Sequence, residues 1–87
     1  MKLASLKEGG RDGTLIVVNR ELTRAVRASS IAATLQLALE DWGNAAPRLN
    51  ALFEELQAGK RADAFALDFE ALASPLPRAY EFVDGSA

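Results

Sequence analysis

The stretch Thr14-Leu15-Ile16-Val17-Val18 constrains the fold of this chain more than any other. Leu15 to Val18 are apolar without interruption, and Ile16, Val17 and Val18 are β-branched. A strand that alternates apolar and polar residues buries one face, whereas an unbroken apolar strand has two faces to bury. The run therefore predicts a central strand covered on both sides. The sequence around it reads as antiparallel β. Lys2 to Leu6 is a short strand, joined to the central one by the turn-rich Lys7-Glu8-Gly9-Gly10-Arg11-Asp12-Gly13, whose glycines can take positive φ. On the other side, Asn19-Arg20-Glu21 makes a tight turn into a third strand over Leu22 to Arg27. Arg24 and Arg27 on that strand are read as solvated edge charges that discourage further pairing, in preference to an anion site.

From Ser29 the apolar period becomes helical. Thr34 is a good N-cap, and Leu35, Ala38, Leu39 and Trp42 share one face at helical spacing, with Gly43 as the expected stop. Asn44 caps the next helix in this reading, whose stripe is Ala45, Leu49, Leu52, Phe53 and Leu56, and Gly59 ends it. So short a connection predicts an antiparallel helical hairpin packed on the sheet. Trp42 belongs to the stripe, so core packing is favoured over stacking on a ligand. A charged loop, Lys60-Arg61-Ala62-Asp63, leads to Phe65 and Leu67. Asp68 then caps a helix of one to two turns through Phe69, Leu72 and Ala73, which Ser74-Pro75 ends because the residue before proline leaves the helical region. The predicted fold class is α+β, with a small antiparallel sheet of about three N-terminal strands packed against a helical hairpin and a short third helix.

Residue inventory narrows the function. A chain of 87 residues is one domain at most. Ten basic and twelve acidic residues give a net charge of −2, which argues against nucleic acid or an anionic membrane as the main partner. Cysteine and histidine are both absent, which removes thiolate chemistry, the commonest general base near neutral pH and the commonest metal ligand. No apolar run reaches transmembrane length and MKLASLKEGG lacks a signal-peptide core, so a cytoplasmic location is expected. The serines at 5, 29, 30, 74 and 86 have no histidine to activate them. The pairs Glu40-Asp41 and Glu54-Glu55 diverge around a helix and read as solvated faces, not as an acid/base pair or an oxygen cage for Mg²⁺ or Ca²⁺. Gly9 to Gly13 is read as a hairpin turn, since no helix follows it as a phosphate cradle requires.

The C-terminal run PLPRAYEFVDGSA is less ordinary. Pro75 and Pro77 set an extended entry, Ala79 to Val83 reads as a strand through Tyr80, Phe82 and Val83, and Asp84-Gly85 follows. A carboxylate at a strand end beside glycine suits an active site, and it equally suits a hairpin turn.

Together, MKLASLKEGGRDGTLIVVNRELTRAVRA, ALEDWGNAAPRLNALFEELQAG and FALDFEALASPLPRAYEFVDGSA resemble the N-terminal segment of bacterial fumarylacetoacetate hydrolase family proteins. The resemblance spans essentially the whole chain and about the first quarter of such an enzyme. It implies residues 1–78 as an N-terminal α+β domain and 79–87 as a junction strand leading into a C-terminal catalytic domain. It further implies hydrolysis of a carbon–carbon bond in a β-diketo acid, fumarylacetoacetate giving fumarate and acetoacetate in tyrosine breakdown. In that family a divalent metal, Mg, Ca or Mn, chelates the diketo oxygens while a histidine-activated water attacks. The resemblance makes Asp84 a metal ligand in the full-length protein, with the histidine beyond Ala87; Gly85-Ser86 stand where an aromatic pair is common in the fumarylacetoacetase branch. No catalytic and no cofactor-binding residue is assigned within the segment itself, which is expected to be inactive alone. The implied partners are the catalytic domain of the same chain and a second copy in a homodimer. The alternative reading is a stand-alone interaction module whose C-terminal strand adds to a partner's sheet.

Overall fold

The computed structural model describes residues 1–8, 13–73 and 77–80. Among these residues are five strands: β1 (Lys2–Leu6), β2 (Thr14–Val18), β3 (Arg24–Arg27), β4 (Phe65–Ala66) and β5 (Arg78–Ala79). They form one sheet in the order β4-β3-β2-β1-β5, with every neighbouring pair antiparallel. The apolar run is the middle strand as expected, and Leu15 to Val18 are all 0% exposed.

The register explains how both faces are filled. Leu3 lies opposite Val17, which lies opposite Val26, and these with Leu15 line one face. Ala4 opposite Ile16, and Val18 opposite Ala25, line the other. The first face is covered by helices α1 (Leu35–Glu40) and α2 (Trp42–Gln57), through Ala38, Ala45, Leu49, Leu52, Phe53 and Leu56. The second is covered by the segment from Phe65 to Leu72. That segment is tied down by backbone hydrogen bonds from Lys7 N–H to the Ala71 carbonyl (2.8 Å) and from Ala73 N–H to the Ser5 carbonyl (2.7 Å). Each fully buried Leu, Ile or Val contributes on the order of 1.5–3 kcal/mol, so the two-sided core supplies most of the drive to fold.

The α+β class holds, and the sheet is larger than the three strands expected because β4 and β5 are two residues each. Several boundaries differ. The third strand begins at Arg24 and not at Leu22. Asn19 is buried, and its Oδ1 accepts from the N–H groups of Thr23 (2.8 Å) and Arg24 (3.0 Å), while its Nδ2 donates to Thr23 Oγ1 (2.9 Å). This side-chain turn carries the chain through Leu22 at φ 60°, so pairing starts two residues later. Nor is β3 an edge, since β4 pairs with it.

The helices also break elsewhere than expected. Thr34 caps α1 as read, its Oγ1 accepting from Leu37 N–H at 3.2 Å. Asp41, at φ −128° and ψ 44°, is the only residue between the helices. Gly43 and Asn44 both lie inside α2, and Asn44 Nδ2 donates to Asp41 Oδ1 (3.0 Å) in place of capping. A one-residue joint is shorter than the loop of about two to five residues that closes a helical hairpin. With α1 only six residues long, Ala38 faces the core and Leu39 is 40% exposed, against the expected stripe. Pro47 sits within α2, where the ring deprives the Gly43 carbonyl of its donor. The α2 stripe is buried as read, and Gly59 (φ 73°) ends the helix with Lys60 N–H on the Glu55 carbonyl (2.9 Å) and its own N–H on that of Leu56 (3.1 Å).

Asp68 caps as expected, accepting from Glu70 N–H at 3.0 Å, yet only a 3-10 turn over Phe69–Ala71 follows. Leu72 turns away to bridge Leu6, and Phe69 is left 42% exposed. The Ser74-Pro75 stop lies outside the described residues.

Candidate functional site

The corner where β5 runs beside β1 gathers the most varied chemistry. Lys2 pairs with Ala79 and Leu3 with Arg78. One residue further, Met1 and Tyr80 exchange bonds: the Tyr80 N–H donates to the Met1 carbonyl (2.8 Å) and the Met1 ammonium to the Tyr80 carbonyl (3.2 Å). The Tyr80 ring lies against Trp42, with centroids 5.7 Å apart and planes tilted by 50°. Trp42 is thus packed at the edge of the helix-side core, as its place in the stripe predicted. Beneath β5 is a cavity of about 210 Å³ lined by Met1, Lys2, Arg20, Phe53 and Ala79. Arg20 is anchored through its backbone N–H on Gln57 Oε1 at 2.6 Å. Among the described residues the lining brings two cationic side chains, Lys2 and Arg20, which offer charge to an anion.

Two other charged groupings are internal ties. Arg27 grips Glu8 with both guanidinium arms, Nε to Oε2 at 2.8 Å and Nη2 to Oε1 at 3.0 Å, and lies over the Phe65 ring at 4.9 Å. This hydrogen bond holds the Glu8 carboxyl below its ordinary value and raises Arg27. Arg61 binds Asp63 (2.9 Å) and Glu55 (3.0 Å), raising its own pKa and lowering that of Asp63. Arg61 also borders an open hollow of about 240 Å³ together with Arg48, Ser30 and Leu52.

Arg24 and Arg27 do not share a site. They are three apart in a strand and so point to opposite faces; Arg24 Nη2 donates to the Ala64 carbonyl (2.9 Å) while Arg27 is taken up by Glu8. Glu40 accepts from Gln36 (3.0 Å), and Glu40, Asp41, Glu54 and Glu55 are exposed, as solvated faces should be. Among the described residues no three histidine, cysteine, aspartate or glutamate side chains come together to hold a metal. Asp84, the carboxylate singled out as a metal ligand, lies outside the described residues, as do Phe82, Val83, Gly85 and Ser86. Sequence reasoning missed the Lys2 and Arg20 cavity, because nothing in their spacing shows that β1 and the β2–β3 turn meet there.

The sequence model of the family described as Fumarylacetoacetase N-terminal domain 2 matches residues 1–78. This chain belongs to that family. The matched stretch takes in the whole sheet except Ala79, both helices and the cover over the second sheet face, and ends within β5. No curated protein matches the chain. Membership assigns the chain to the N-terminal domain of a hydrolase-type family. No described helix is long and apolar enough to cross a membrane.

Proposed function

We propose that this fumarylacetoacetase N-terminal domain is the non-catalytic part of a hydrolase that, at full length, cleaves a carbon–carbon bond in a β-diketo acid, fumarylacetoacetate being the substrate of the named branch. The match over residues 1–78 carries this reading. The domain's task is then to pack beside the catalytic domain of the same chain and to deliver the polypeptide into it along the sheet edge at β5. Among the described residues no three histidine, cysteine, aspartate or glutamate side chains gather to hold a metal, and this reading gives those residues a supporting role. The metal, Mg, Ca or Mn, belongs in this proposal to the full-length enzyme, working in the cytoplasm as a homodimer, with Asp84 as one of its ligands. The interaction-module reading rests on a strand through Tyr80, Phe82 and Val83, of which Phe82 and Val83 lie outside the described residues.

The test is an Asp84→Ala variant of the longer enzyme that carries this domain. Loss of metal affinity together with turnover is the expected result, with thermal stability of the N-terminal domain unchanged. Unchanged metal affinity and turnover would remove Asp84 from the site, and a reading frame that stops at Ala87 would overturn the proposal as a whole.

A further inference from the structure

We draw no further inference here: the strongest candidate, the open hollow of about 240 Å³ bordered by Ser30, Arg48, Leu52, Glu55 and Arg61, carries nothing, because Arg61 is already taken up by Glu55 and Asp63 and nothing in the structure shows what covers the hollow.

Discussion

Gly13 and Gly59 both take positive φ, at 74° and 73°, yet they answer to different constraints. A Cβ on Gly13 would run into the Leu6 carbonyl oxygen and come within 3.3 Å of Ser5 Cβ, where β1 leaves no room to yield. A Cβ on Gly59 meets nothing within 4 Å. Gly59→Ala therefore incurs only the left-handed backbone penalty, about 1 kcal/mol, as a Schellman cap loses its glycine. Gly13→Ala adds a backbone clash to the same penalty and is expected to cost about 2–3 kcal/mol or more. Chemical denaturation of the two variants separates them: a shift for Gly13→Ala no larger than that for Gly59→Ala would mean the β1–β2 connection is not built as described.

The ion pair of Glu8 with Arg27 joins the connection after β1 to β3, and it gives a pH dependence with a definite sign. Arg27 holds the Glu8 carboxyl below its ordinary 4.5, chiefly by hydrogen bonding, and Arg61 does the same to Asp63, whose ordinary value is 3.8. A carboxylate depressed in the folded state contributes stability that is fully present above its unfolded pKa and is lost as pH falls through the folded one. Stability is thus expected to be level above roughly pH 5 and to decline below it as these carboxylates take up protons. Both groups are solvent-exposed, so the effect is small and weakens in salt. Denaturation midpoints of Glu8→Gln against pH are expected to fall less steeply in acid than those of the parent, and identical profiles would show that the Glu8–Arg27 pair contributes nothing.

The same elements show what could be read in advance. β2 was legible because four successive apolar residues, three of them β-branched, favour a strand buried on both faces, and the α2 stripe because five positions repeat at helical spacing over a long helix. β4 and β5 were not, since two-residue strands carry no period and are defined only by the partner they lie against. The helix joint was misread because Gly43 looks like a terminator when the actual break is the backbone of Asp41, an ordinary residue in an unusual conformation. The corner site escaped for a related reason: Met1, Arg20, Phe53 and Ala79 are brought together by topology alone. The family itself was legible from the run of the chain, whereas Asp84 rested on its place after the Pro-Leu-Pro-Arg junction.

Taken whole, the molecule is a sheet with two dressed faces. Helices cover one and the segment from Phe65 to Leu72 covers the other, so the domain has a core of its own without borrowing surface from a catalytic partner. Among its described charges Glu8 with Arg27, and Arg61 with Glu55 and Asp63, are tied to one another, and the sequence has neither histidine nor cysteine. A core of its own suits a domain that, in the proposal above, supports chemistry carried elsewhere. The decisive measurement is turnover of fumarylacetoacetate by the purified 87-residue chain, with Mg²⁺ and Ca²⁺ titrated calorimetrically on the same preparation. A folded protein with no turnover and no metal binding at micromolar levels is the expected result; turnover that scales with its concentration and survives repurification would contradict it.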